Sequence, residues 1–237
     1  MKKSNFGSIA SVETMGLVDG PGIRFVIFFN GCNKRCKYCH NPEMWNMQEK
    51  NSTVNELVNK VLRYKEYFKD NGGVTLSGGE ALMQEDFTLE LCQELKKHDV
   101  SIALDTAGFI SPKTPLILSF VDYILLDIKH IENKAYFDLT GVDIKMFNDF
   151  LNLVNKSGKK VWIRQVIVPD FNDNDEYLLK LKQYIKNINN IERIDFLPYH
   201  NLAKDKYKKL GIEYVYKDKQ NMSLELCNDL LNKFKKL

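Results

Sequence analysis

Six short runs rich in β-branched, aromatic and aliphatic residues recur along this chain, each separated from the next by room for a helix. No other feature narrows the fold so far. The runs cover residues 25–29, 74–77, 101–105, 123–127, 161–168 and 193–197 and predict strands. Helical periodicity fills much of the space between and after them, at 53–69, 84–98, 145–155, 175–188 and 223–234. In the first of these, Val54, Leu57, Val58, Val61 and Leu62 share one face, and Thr53 with Glu56 has the spacing of a capping box. Strand alternating with helix implies parallel βαβ units and an α/β class. A complete eightfold barrel takes about 250 residues, so six units predict a partial, open (β/α)6 barrel of parallel strands. No Pro/Gly/Ser-rich linker, low-complexity run or repeat divides the sequence, and residues 1–237 read as one domain.

Parallel architectures gather their chemistry at the C-terminal ends of the strands. Five predicted strand ends here carry chemically capable residues: Asn30-Gly31-Cys32, Gly78-Gly79-Glu80, Asp105-Thr106, Asp127-Ile128-Lys129 and Pro198-Tyr199-His200. Their coincidence says more than any one of them. Net charge, by contrast, points to no partner, because 34 basic residues nearly cancel 31 acidic ones. The lysines of 204–219 and 233–236 read as a solvated face. Tyr207, Tyr214 and Tyr216 among them do not make a base-stacking platform, so nucleic acid is not expected. No apolar run approaches the roughly 18 residues that span a bilayer. The start, Met1-Lys2-Lys3-Ser4, lacks the apolar stretch of a secretory signal. A cytoplasmic protein without membrane contact is expected.

The cysteines sharpen this. There are five, an odd number, and three fall within eight residues as Cys32-Asn33-Lys34-Arg35-Cys36-Lys37-Tyr38-Cys39. A disulfide framework predicts neither feature, whereas a reducing compartment and metal ligation predict both. Thiolates at this spacing in a loop can wrap a cuboidal iron–sulfur cluster, and three ligands for four irons leave one iron open to exogenous chemistry. The alternative is a structural zinc with His40 as fourth ligand, although a residue adjacent to Cys39 reaches the same tetrahedron with difficulty.

Cys-x3-Cys-x2-Cys with Tyr38 before the last cysteine resembles the radical S-adenosylmethionine (SAM) superfamily. The resemblance implies a 4Fe–4S cluster on Cys32, Cys36 and Cys39, whose open iron chelates SAM and whose reduced form cleaves it. Further runs match one branch: Asp19-Gly20-Pro21-Gly22-Ile23-Arg24, Tyr38-Cys39-His40-Asn41-Pro42, Ser77-Gly78-Gly79-Glu80-Ala81, Trp162-Ile163-Arg164 and Leu197-Pro198-Tyr199-His200. Together they are similar to the activating enzymes of glycyl radical enzymes, nearly end to end. Several such activases carry extra ferredoxin-like cysteines before Gly-Gly-Glu. None lies between Cys39 and Gly78, which favours the pyruvate formate-lyase branch.

The same resemblance implies a monomer acting on a partner protein, pyruvate formate-lyase, with a low-potential electron donor such as flavodoxin or ferredoxin. SAM would contact Tyr38, Cys39, His40, Gly78, Gly79, Glu80, Asp127, Ile128, Lys129, Arg164 and His200. A monovalent cation would sit near the SAM carboxylate on Asp105, Thr106 and Asp127, with a backbone carbonyl near Leu125. An internal Asp–Lys salt bridge is the plainer reading of those acids. His98 and His130 read as ordinary surface or core residues, and Cys92 and Cys227 as small core residues.

Overall fold

The computed structural model describes residues 5–237; Met1 to Ser4, where a signal was sought, lie outside the described residues. The strands in chain order are β1 (Phe6–Gly7), β2 (Ile9–Gly16), β3 (Arg24–Phe29), β4 (Ser52–Thr53), β5 (Gly73–Gly78), β6 (Ile102–Thr106), β7 (Tyr123–Asp127), β8 (Lys160–Ile167) and β9 (Ile191–Pro198). β1 and β4 form a small antiparallel ribbon. The other seven make one sheet in the order β2-β3-β5-β6-β7-β8-β9. From β3 to β9 every pairing is parallel, so the six expected strands are present, and no pairing closes β9 onto β2. The barrel is open. The expectation omitted β2, which pairs antiparallel with β3 as an edge strand. Its sequence IASVETMG is exposed over most of its length and carries no apolar run to announce it.

The helices are α1 (Val54–Leu62), α2 (Lys65–Phe68), α3 (Glu85–Lys97), α4 (Thr114–Phe120), α5 (Asn133–Thr140), α6 (Ile144–Ser157), α7 (Asp175–Ile185), α8 (Lys204–Leu210) and α9 (Leu224–Lys236). The Thr53–Glu56 capping box forms as expected: the Thr53 hydroxyl accepts from the Glu56 N–H, and the Glu56 carboxylate accepts from the Thr53 N–H. The helix expected over 53–69 breaks at Arg63 and Tyr64. An unbroken helix would carry Lys65 onto the face of Val61. The break leaves Lys65 exposed, donating to the His98 carbonyl, while Phe68 is buried. Short α4, α5 and α8 were not foreseen. Among the described residues no helix is long and apolar enough to cross a membrane.

The strands sort their side chains by face. Along β8, Val161, Ile163, Gln165 and Ile167 are buried, and Trp162, Arg164 and Val166 alternate with them half-buried. The first set joins the apolar layer of the outer helices, supplied by Leu57 and Val61 of α1, Leu91 and Leu95 of α3, and Phe147 and Phe150 of α6. The second set faces the concave side. Sequestering apolar surface beneath the helices drives folding and leaves the concave side free for polar groups.

Candidate active site

β3 is buried along nearly its whole length and delivers the chain to Asn30, whose backbone and side-chain amides donate to Ser8. The cysteine loop begins there and is held on two sides by backbone hydrogen bonds. Gly31 and Cys32 donate to the Met44 and Trp45 carbonyls, and Arg35 and Lys37 donate to those of Thr140 and Leu139 at the end of α5. The Arg35 guanidinium donates to the Cys32 carbonyl at 2.6 Å. Thus fixed, the three thiols border a single cavity of about 330 Å³ at the strand ends. Burial pushes the pKa of Cys32, Cys36 and Cys39 up, so without metal they rest as thiols. Metal binding must displace their protons.

Gly78 and Gly79 border the same cavity. Gly78 has φ +101, and a Cβ there would lie 2.5 Å from the Phe29 nitrogen; one on Gly79 would lie 2.3 Å from the Gly31 carbonyl oxygen. The close approach that glycine permits here is first of all to the cysteine loop's own backbone. Gly79 donates to Phe29 and Glu80 to Gly31, both at 2.8 Å, which fastens strand end to loop. Glu80 is buried and does not itself border the cavity. Its carboxylate accepts from the Thr106 hydroxyl at 2.8 Å and from the Ala107 N–H at 3.3 Å, and burial raises its pKa despite Lys34 nearby.

The polar floor is built of pairs. Asp105 accepts from the Ser77 hydroxyl at 2.7 Å and from Arg164 at 3.4 Å. Burial pushes its pKa up, and Arg164 opposes the rise. Arg164 also donates to the Val18 carbonyl at 2.6 Å, so its partners are protein groups on both sides. Asp127 pairs with Lys129 at 3.1 Å, as the salt-bridge reading expects. Burial alone would lower the Lys129 pKa, but Asp127, Tyr38 and Cys36 together carry it well above the usual value. Its ammonium also lies 5.6 Å from the Tyr38 ring centre. His40 stacks on His200 with ring centres 3.9 Å apart, and its Nε2 meets the His200 carbonyl at 3.0 Å. In the Asp19–Arg24 run, Asp19 faces the cavity while Arg24 is wholly buried. Arg24 donates to the Thr75 hydroxyl and to the carbonyls of Pro21, Val74 and Ser101, and burial lowers its pKa to about 10.

Of the residues singled out in the sequence, the cavity gathers Cys32, Cys36, Cys39, Tyr38 and His40 from the loop. From the strand ends it gathers Gly78, Gly79, Asp105, Thr106, Asp127, Lys129 and Arg164. Glu80, Ile128 and His200 stand behind this lining: Ile128 is buried and donates to the Arg164 carbonyl. Leu125 is buried within β7, one side-chain layer below Asp127. Tyr207 and Tyr214 are buried and stacked at 4.4 Å, Tyr207 donating to the Cys39 carbonyl, so they form the back of the loop instead of a surface. His130 is a core residue, its Nδ1 accepting from the Glu132 N–H, and Cys92 and Cys227 are buried. Lys34 and Trp45 border the cavity and were missed. Lys34 had a signal in its place between two of the clustered cysteines; Trp45 had none.

The residues fit an iron–sulfur cluster better than zinc. His40 is committed to His200, and among the described residues no three His, Cys, Asp or Glu side chains converge on one point as a single ion requires. Three thiols around a shared cavity suit the separate corners of a four-iron cube. The hydroxyl of Tyr38, a residue that borders the cavity, is buried without a protein hydrogen-bond partner.

Comparison with known proteins agrees. The family model described as the radical SAM superfamily matches residues 26–181. A pyruvate formate-lyase-activating enzyme of Clostridium pasteurianum is 47% identical over 233 residues, covering 98% of both chains. That of Staphylococcus epidermidis is 43% identical, covering 88% of this chain and 87% of its own. Among solved structures, a domain of the pyruvate-formate lyase-activating enzyme from Bacteroides vulgatus matches with TM-score 0.54 at 20% identity, over 69% of this chain and 95% of that one. Streptococcus suis SuiB bound to its precursor peptide SuiA matches with TM-score 0.65 at 21% identity, over 95% of this chain and 47% of that one. At such identity these two structures speak for the fold.

Proposed function

The chain belongs to the radical SAM superfamily and, within it, to the pyruvate formate-lyase-activating enzymes, and from that footing we propose that it generates the glycyl radical of a pyruvate formate-lyase. A 4Fe–4S cluster bound here would supply one-electron reduction of SAM, giving methionine and a 5′-deoxyadenosyl radical able to take a Cα hydrogen from one glycine of the partner. The chain's own residues hold, orient and shield. Cys32, Cys36 and Cys39 would hold the cluster, and three ligands for four irons would keep one iron free for SAM. Gly78 and Gly79 offer backbone to the methionyl end, and Glu80 fixes them by tying the end of β5 to that of β6. Tyr38, His40, Ile128, Lys129, Arg164 and His200 orient the rest. Asp105, Thr106 and Asp127 take a monovalent cation near the SAM carboxylate, with a backbone carbonyl near Leu125. Phe28, Val166 and Leu197 supply an apolar wall that keeps water from the radical. A low-potential donor, flavodoxin or ferredoxin, reduces the cluster, and the activase works as a monomer.

One observation carries this reading: the three thiols, the glycine pair and both acidic strand ends border one cavity. The test is anaerobic. Reconstituted and reduced protein is mixed with SAM and a pyruvate formate-lyase, and electron paramagnetic resonance is recorded. A glycyl radical signal is expected with the wild type and none with Cys32→Ala, Cys36→Ala or Cys39→Ala. A radical formed by any of these variants, or formed only in a different glycyl radical enzyme, overturns the assignment it touches.

A further inference from the structure

Lys34 stands between two cysteines of the triplet and is turned inward. It is only 2% exposed and borders the same cavity as Cys32, Cys36 and Cys39. An ammonium carries three donors. This one meets two distant neutral acceptors, the Gly108 carbonyl at 3.3 Å and the Asn33 side-chain oxygen at 3.4 Å. Lys129 in the same cavity has Asp127 at 3.1 Å; among the described residues Lys34 has no carboxylate at ion-pair distance. The Glu80 carboxylate interacts with it electrostatically without reaching ion-pair distance, and accepts from Thr106 and Ala107. Burying a charge without a partner is costly. A negative group held in the cavity would offset that cost.

We propose that Lys34 sets the reduction potential of the iron–sulfur cluster, placing beside the three thiolates a positive charge with no carboxylate at ion-pair distance. The inference rests on the reading of Cys32, Cys36 and Cys39 as cluster ligands. The redox step is the uptake of one electron from a low-potential one-electron donor, taking the cluster from its 2+ to its 1+ state with no bond or proton exchanged. The added electron makes the cluster one unit more negative. A fixed cation in a poorly screened interior favours that state over the oxidised one, and net charge is among the properties that set cluster potentials. Lys34 is thus a positioning residue for charge, acting on the cluster without touching the partner glycine. A lysine serving only to pin the Gly108 carbonyl would affect stability alone.

The test compares reconstituted wild type with Lys34→Met, Lys34→Gln and Lys34→Arg. Iron is counted first; about four per chain shows that each protein holds its cluster. Each is then titrated anaerobically against redox dyes, the reduced cluster is read by electron paramagnetic resonance, and SAM affinity is measured separately. Lys34→Arg should titrate with the wild type. Lys34→Met and Lys34→Gln should be harder to reduce by about tenfold in the equilibrium constant, about 59 mV for one electron, with SAM affinity unchanged. Should Lys34→Met fail to load iron, Lys34→Gln carries the comparison. Unshifted potentials in the neutral variants overturn the proposal. So does weaker SAM binding at an unshifted potential, which would make Lys34 a ligand of SAM. A wild type that takes up no cluster refutes the reading of the cysteines instead, a result the iron count shows before any potential is measured.

Discussion

Asp105 and Asp127 lie near the ends of the neighbouring strands β6 and β7, Asp105 level with Leu125, and each has found a cation inside the protein: Arg164 for the first, Lys129 for the second. A carboxylate beneath a ligand cavity needs such a counter-charge, and the sequence offered two ways to supply it. The ion pairs are formed, yet Asp105 lies 3.4 Å from Arg164 and burial still holds its pKa up. That is a loosely compensated acid, open to a better partner. Asp105→Ala and Asp127→Ala should each weaken SAM binding about tenfold, or ~1.4 kcal/mol. Each should also remove any dependence on monovalent cations while iron loading is unchanged. Titrating SAM into each variant, with and without potassium, checks this. Wild-type affinity in both variants would leave the acids as members of structural ion pairs and nothing more.

At the scale of elements, local signals were legible where they were strong. The six parallel strands lie within three residues of their expected bounds: five are apolar runs buried on at least one face, and β9, with three charged residues, still turns Ile194 and Phe196 toward the core. The start of α1 was equally plain, since a capping box is a local device that needs no tertiary partner. Thr53→Ala removes the acceptor for the Glu56 N–H and should destabilise the fold by about 1 kcal/mol. A shift in the denaturation midpoint with an unchanged slope would show it. An unchanged midpoint would mean that the packing of Val54, Leu57 and Val61 alone holds that end. What stayed hidden depends on contacts distant in sequence. α8 reads as lysines and a tyrosine until Tyr207 is seen stacked on Tyr214 and bonded to Cys39. Tyr199, whose hydroxyl donates to the Tyr216 carbonyl and meets that of Tyr214, belongs to the same hidden cluster. β2 owes its place to the backbone of β3 and not to its own side chains.

For the molecule as a whole, topology made the site legible, because parallel strands bring their C-terminal ends together whatever the loops do. Burial of individual charged residues has no such rule, and Lys34 passed unnoticed as one lysine among many. The same whole-chain view fixes how many clusters the protein carries. Three cysteines border the cavity, and the other two are far from it in role. Cys92 is buried on α3 and Cys227 on α9, and burial pushes their thiols up to about 12 and about 11. Such thiols are poor metal ligands and poor nucleophiles near neutrality, since the thiolate is the reactive form. A second cluster needs roughly four more thiolates, and two inert ones do not make it. Reconstituted protein should therefore saturate at about four irons per chain. The Cys92→Ser, Cys227→Ser double variant should keep that content and its activity, losing only stability from hydroxyls placed among Leu91, Leu95 and Phe234. Saturation near eight irons, or loss of the cluster in the double variant, would show that α3 and α9 contribute ligands. The chain would then join the activases that carry auxiliary clusters, and its partner would have to be sought outside the pyruvate formate-lyases.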